Sequence, residues 1–153
     1  MTQNTNQFAQ TPEQGFLDLQ TGVSNVLNGG VSLSEAGTLI AGQAVKIEDS
    51  AGGVPKFLKL AANTDKTFGF VVFNQKDTGF TAGMGASIAI DGSVMWMTAG
   101  AAIARGAKLE VVYTTNKVIT NAATNPVVGI ALDKAAADND MIRVLIQTPN
   151  KSL

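Results

Sequence analysis

Few residues in this chain are able to do chemistry, and their spacing limits them further. There is no histidine and no cysteine among the 153 residues. Without histidine there is no Ser–His–Asp or Cys–His triad, no HExxH zinc motif and no imidazole base near neutral pH. Without cysteine there is no disulfide framework, thiolate nucleophile or Cys-based metal site. Carboxylate chemistry is what remains. A histidine-free hydrolase would need two of Asp49, Asp91, Asp133 and Asp140 brought together across a cleft, as glycoside hydrolysis requires. No aromatic-rich cleft signature accompanies these acids, and aromatic residues make up only 6% of the chain. Asp138-Asn139-Asp140 looks like a fragment of a calcium loop but lacks its glycine and closing glutamate. Like Glu48-Asp49, it reads as turn carboxylates that accept backbone N–H groups. We expect no catalytic residue, no metal and no cofactor.

Other chemical signals are weaker still. Gly79-Phe80-Thr81-Ala82-Gly83-Met84-Gly85 is rich in glycine but lacks the GK[ST] ending of a phosphate loop and opens no helix. Its interest lies in Phe80 and Met84, apolar side chains carried on a loop and available to a neighbouring chain. Met95-Trp96-Met97 holds the only Trp. Strand alternation turns Trp96 to one face and both methionines to the other, and the core is the expected place for the Trp. Phe70, Val72 and Phe73 are expected in the core as well.

Composition then excludes whole classes of partner. A net charge of −1, with basic residues scattered singly, offers no footprint for nucleic acid. No apolar run approaches the roughly 18 residues of a membrane span. The opening MTQNTNQFAQ lacks the positive start and apolar run of a signal peptide, so synthesis in the cytoplasm without general secretion is expected. At 45% hydrophobic and 15% charged residues, the body is globular with a lightly charged surface.

The elements that position these residues are short. Residues 1–30 read as an extended amino-terminal arm that orders on a partner, with Phe8, Phe16, Leu17 and Leu19 as its anchors. Ordering such an arm costs about 1–2 kcal/mol per backbone residue, so its apolar residues must make contacts. Asn28-Gly29-Gly30 reads as a turn. Residues 31–153 form the body, where short apolar runs alternate with Gly, Asn, Asp, Ser and Thr clusters, the pattern of an all-β sandwich or barrel. The expected strands are Gly37–Ile40, Ala44–Glu48, Lys56–Leu60, Gly69–Phe73, Ser87–Ile90, Ser93–Met97, Lys108–Val112, Val118–Thr120, Val127–Leu132 and Ile142–Gln147. Asp91-Gly92 predicts a hairpin between the fifth and sixth of these. No segment sustains a 3.6-residue period, so helix should be scarce.

A repeat organises the body. Ile40–Ile47, Lys56–Lys59, Gly69–Val72 and Ala86–Ile90 are answered in order by Ile103–Val111, Lys117–Ile119, Gly129–Leu132 and Ile142–Ile146. Gly42 matches Gly106, and Gly69 matches Gly129; glycine at such places suits a bend or a close backbone approach. The fold class expected is a compact β-sandwich or barrel of two related halves, with the corner Gly100–Gly106 opening the second.

Two resemblances bear on function. Asp133-Lys134-Ala135 looks like the DKA hairpin of lipoyl carrier domains, but a half-barrel should follow the modified lysine and only Ala136–Leu153 remains. The second covers roughly Thr38–Gln147. The corner Ala99-Gly100-Ala101-Ala102-Ile103-Ala104-Arg105-Gly106, the strand Lys108–Tyr113, the turn Asn116-Lys117-Val118, then Val128–Leu132, Ala135–Ala137 and Ile142–Ile146 resemble the small capsid cement, or head decoration, proteins of tailed bacteriophages. That resemblance implies a β-rich structural protein of the virion bound to the outer surface of the assembled head. Its partners would be the major capsid protein and other copies of itself, as a homodimer or homotrimer. A tail-associated or adhesin-type carbohydrate-binding module is the alternative reading.

Overall fold

The computed structural model describes residues 13–18, 24–49, 52–74 and 79–148. Among them there are ten strands and no helix. Strands β1 (Val26–Val31), β2 (Ala44–Ile47), β3 (Lys56–Lys59), β4 (Gly69–Val71) and β5 (Gly85–Ala89) close into a barrel in the order β1-β3-β2-β4-β5. Strands β6 (Val94–Thr98), β7 (Lys108–Val112), β8 (Lys117–Thr120), β9 (Gly129–Ala131) and β10 (Met141–Ile146) form a second sheet in the order β6-β10-β9-β7-β8. A parallel bridge between Ala99 and Val118 brings the ends of that sheet together, with Gly100 N donating to Val118 O at 2.8 Å. All-β architecture in two related halves is therefore what the chain adopts.

The two halves share one connectivity. In the first, Ala44 pairs with Phe70 and Val45 with Gly69; in the second, Lys108 pairs with Ile130 and Leu109 with Gly129. The corner before each is alike: Leu39 bridges Phe80, Ile103 bridges Ala135, and Gly42 and Gly106 both take positive φ, 74° and 83°. The parallel contact of β1 with β3, Val31 to Phe57, is answered by Ala99 to Val118. The repeat thus begins one strand earlier than expected, with β1 matching β6.

Three sequence expectations are corrected here. Asn28-Gly29-Gly30 is no turn but the middle of β1, and neither glycine has positive φ. Space explains the glycine: a Cβ on Gly29 would lie 2.4 Å from Phe57 Cε2 and 2.6 Å from Pro55 O. Asp91-Gly92 does turn the chain, with Gly92 at φ 91° and Ser93 N donating to Ile90 O at 3.1 Å. It makes no hairpin, because β5 has both edges filled, by β1 and β4, and β6 pairs with β10 instead. Gly37–Ile40 is not a strand; only its Leu39 bridges Phe80.

Strand alternation sorts the core. Val31, Leu39, Val45, Phe57, Val71, Phe80, Ala86 and Ile88 fill the first barrel. Ala44, Leu60, Phe70 and Ala89 project from its outer wall and join Met95, Met97, Leu109, Ile142, Val144 and others in a second core. One wall of the first barrel is thus a side of the second core, and at about 1.5–3 kcal/mol per buried large apolar side chain the halves are strongly bound together. Phe70 is fully buried as expected, whereas Val72 and Phe73 are half-buried. The Trp expectation is reversed: Met95 and Met97 are fully buried, and Trp96 faces outward, half-buried under Arg143. On the matching wall of the second half, Lys108 stands where the first has Ala44. Asn121, next after the Thr120 that pairs with Leu109, stands where Leu60 follows the Lys59 that pairs with Val45.

Asn116 joins the halves. It sits in the β7–β8 turn at φ 56°, in the left-handed region that Asn tolerates better than most residues. Its Oδ1 accepts from Ala44 N at 2.8 Å, and its Nδ2 donates to Gly42 O at 2.8 Å. Two backbone groups of the first barrel are thereby satisfied by one side chain of the second.

Candidate functional site

Residues 13–18, part of the stretch read as an arm, lie on the body. Gly15 N donates to Trp96 O, Trp96 N to Phe16 O and Asp18 N to Val94 O, each at 2.8 Å, so the segment extends the second sheet beyond β6. Its other side meets the first half, where Phe73 N donates to Gly15 O at 3.0 Å. Gln14 is held three ways: its Nε2 reaches Gly42 O at 3.4 Å and Asn116 O at 3.2 Å, and its Oε1 accepts from Thr98 Oγ1 at 2.6 Å. The segment therefore clasps both halves, covering a strand edge that would otherwise present unpaired backbone groups. The division at residue 30 falls inside β1, at the fifth residue of a strand that begins at Val26.

The clasp forms one wall of a groove of about 750 Å3. Phe16, Leu17, Val72, Phe73 and Phe80 supply its apolar surface, and Asn28, Asn74 and Ser87 its polar edge. Phe16 and Phe73 meet edge to face, ring centroids 4.3 Å apart at 73°, an arrangement that aromatic quadrupoles favour. Phe80 is 3% exposed and is fixed by a reciprocal pair of backbone hydrogen bonds with Leu39, 2.8 and 2.9 Å. Ser87 Oγ donates to Asn28 Oδ1 at 2.7 Å across the β1–β5 ladder, where the two residues stand opposite.

Of the six residues singled out for partner contact, the structure brings Phe16, Leu17 and Phe80 to this one groove. Met84 stands beside the groove residue Gly85. Its Sδ accepts from Thr81 N and Oγ1, both at 3.3 Å, and its carbonyl takes Val31 N at 2.8 Å. Phe8 and Leu19 lie outside the described residues. Sequence reasoning passed over Val72 and Phe73 as core, and Asn28 and Ser87 altogether. The Asn–Ser pair follows from strand register once β1 is recognised.

The acids do other work. Asp133 grips Arg143 at both ends: Oδ1 takes Nη2 at 2.7 Å and Oδ2 takes Nε at 2.9 Å and the backbone N at 3.0 Å. Those hydrogen bonds hold the Asp133 carboxyl below the usual aspartate range and push Arg143 up. Arg143 Nη1 also reaches Asp18 of the clasp at 3.4 Å, and its guanidinium carbon lies 5.8 Å from the Trp96 ring centroid. Asp140 Oδ2 takes Ala136 N at 2.7 Å and Ala137 N at 3.0 Å, the turn-carboxylate role. Asp49 is exposed on the β2–β3 loop, and Asp91 lies at the junction of the halves, its backbone N donating to Thr148 O at 2.7 Å. Buried Glu110 receives Asn121 Nδ2, Asn125 Nδ2 and Ala122 N at 2.9–3.0 Å. Among the described residues no group of three or more acids is placed to hold a metal ion, and no long apolar helix is present that could cross a membrane.

Comparison with known proteins agrees with this geometry. No curated protein sequence matches the chain. Among solved structures, the N base of the head fiber gp8.5 of bacteriophage phi29 is similar, with a TM-score of 0.52 at 13% identity. The match covers 86% of this chain and 99% of that one, and at such low identity it speaks for the fold. The model of the family described as phage cement protein matches residues 31–146, from the last residue of β1 to the last of β10. A closed β-barrel joined to a related five-stranded sheet, with a surface groove lined by aromatics, thus belongs to a member of the phage cement protein family.

Proposed function

We propose that this cement protein binds the major capsid protein on the outer surface of the assembled head and attaches through the aromatic groove. The observation that carries the reading is the convergence of half-buried Phe16, Leu17 and Phe73 on one open groove, floored by the buried Phe80, on a lightly charged body. Met84 beside the groove, and Phe8 and Leu19 in the flanking segments, extend the contact. Large apolar side chains in a concave site are the usual anchors of such interfaces. The action is thermodynamic. A ligand that binds only the assembled lattice shifts the equilibrium toward it, by about 2.7 kcal/mol per site at a hundredfold excess over Kd. Repetition over a symmetric lattice multiplies that effect, and association of copies as a dimer or trimer would add avidity. The protein needs no catalysis for this, and we place its synthesis in the host cytoplasm. The head fiber base of phi29, by its name part of a phage head, is a precedent for the architecture in that setting.

The test is a titration of expanded empty heads with the purified protein. Their melting temperature should rise and then saturate, and Phe73→Ala should weaken binding about tenfold or more. Heads whose melting is unmoved at saturating protein would overturn the cement mechanism.

A further inference from the structure

The two halves differ at one matched strand edge. We propose that the open edge of β1 at Val26–Asn28 takes up an extended, uncharged segment of the capsid protein as an added strand. The proposal rests on the cement reading above and names a second contact of the same attachment, joined to the groove through Asn28.

Register makes the match. Val31 corresponds to Ala99, because each makes the parallel contact of its half, so Val26, Leu27 and Asn28 correspond to Val94, Met95 and Trp96. Cross-strand partners agree: Val26 stands opposite Ala89 and Asn28 opposite Ser87, as Val94 stands opposite Leu145 and Trp96 opposite Arg143. In the second half this edge is filled by the clasp. Asp18 N donates to Val94 O, Trp96 N to Phe16 O and Gly15 N to Trp96 O, each at 2.8 Å, with Leu17 opposite Met95. In the first half no described residue pairs with β1 before Gly30 on the matching side.

Backbone alternation aims the polar groups. Asn25 O accepts from Ile90 N at 3.0 Å on the β5 side, and Gly30 N donates to Pro55 O at 2.9 Å on the β3 side. Successive residues of a strand turn their N–H and C=O to alternate sides, so Val26 and Asn28 point theirs away from β5, along the line of β3. Pro55 stops β3 there. With Gly30 opposite Lys56, the parallel ladder would continue by an N–H of residue 55 donating to Asn28 O, and proline has none. The loop before it is open at Gly52 and Gly53, where a Cβ would meet nothing within 4 Å.

Chemistry selects the occupant. Residues 24–30 and 52–55 carry no charged side chain, so a charge on the incoming strand would lose water without gaining a partner. Leu27 is half-buried on the first core, whereas its counterpart Met95 is fully buried in the core on which Leu17 packs. An apolar side chain opposite Leu27 would do for the first half what Leu17 does for the second. Val26 and Val54, 39% and 62% exposed, flank the place. A second copy would bring its own β1, whose edge from Gly30 onward is taken by its own β3. A lone segment with nothing on its far side meets no such obstacle, and pairing of an extended peptide with a sheet edge is a recurrent mode of recognition.

Full-length protein, free and bound to empty heads, would be pulsed with deuterium oxide, quenched and read residue by residue by electron-transfer fragmentation. In the free protein the amides of Val26 and Asn28 should exchange much faster than those of Leu27 and Gly29, which face β5. Binding to heads should slow Val26 and Asn28 at least tenfold. Unchanged rates on bound protein would overturn the proposal, and so would protection that rises with protein concentration without heads, which would assign the edge to a second copy. Val54→p-benzoylphenylalanine should cross-link to the capsid protein on irradiated heads; cross-links only to other copies of this chain, or none, would overturn it too. Protein that fails to sediment with heads would overturn the cement reading and this proposal together. Protein that binds heads while Val26 and Asn28 exchange as before would overturn this proposal alone.

Discussion

At the scale of the residue, Asn116 shows how much one side chain contributes. It satisfies Ala44 N and Gly42 O while sitting at φ 56°. Asn116→Ala should leave Ala44 N buried without a partner and Gly42 O with only the 3.4 Å contact from Gln14 Nε2, and add left-handed strain, destabilising the fold by about 3 kcal/mol. Asn116→Gly should recover about 1 kcal/mol of that, because glycine relieves the strain but restores no hydrogen bond. Urea denaturation of the two variants separates the effects, and equal losses would show that strain plays no part. Sequence alone placed Asn116 in a turn. Its partners lie more than seventy positions away, so its role was not legible there. Trp96 failed for a related reason. Alternation correctly set it opposite Met95 and Met97, but which face is core depends on β10 and the clasp, and Arg143 with Asp133 made the outer face habitable for an indole.

At the scale of the element, the clasp over residues 13–18 changes what a truncation means. Removing residues 1–19 would uncover the β6 edge, delete the bonds of Gln14 and expose the shared core on which Leu17 packs. That should cost at least about 3 kcal/mol. Removing residues 1–12 alone should leave thermal stability within about 0.5 kcal/mol of the full chain. Thermal melts of the two truncations check this, and equal melting points would mean that the clasp contributes nothing. Strand β7, Lys108–Val112, was read to the residue because its apolar positions alternate cleanly between turn signals. β1 was missed because a glycine chosen for clearance under the Phe57 ring cannot be told, in sequence, from one chosen for positive φ. The pairing of β6 was missed because Asp91-Gly92 fixes a local turn and not the partner of the strand that follows.

At the scale of the molecule, the duplication was legible through Gly42 with Gly106 and Gly69 with Gly129, since each pair meets the same backbone demand in both halves. What could not be read was that one half completes the core of the other. Ala44, Leu60, Phe70 and Ala89 belong to the second core, so the halves should unfold together. Calorimetry should give one transition with a van't Hoff enthalpy equal to the measured one, coincident with the change in Trp96 fluorescence. Two resolved transitions would show independent halves.

The wall through which the first barrel completes the second is not offered again. Where it carries Ala44 and Leu60, the second half has Lys108 and Asn121, and a further module could not seat there without burying a cation and an amide. In a repeat array such polar substitution is what terminates the stack. For a protein crowded at high local density on a lattice, the two polar positions disfavour the seating of another copy on that wall, which separates decorating a shell from growing off it.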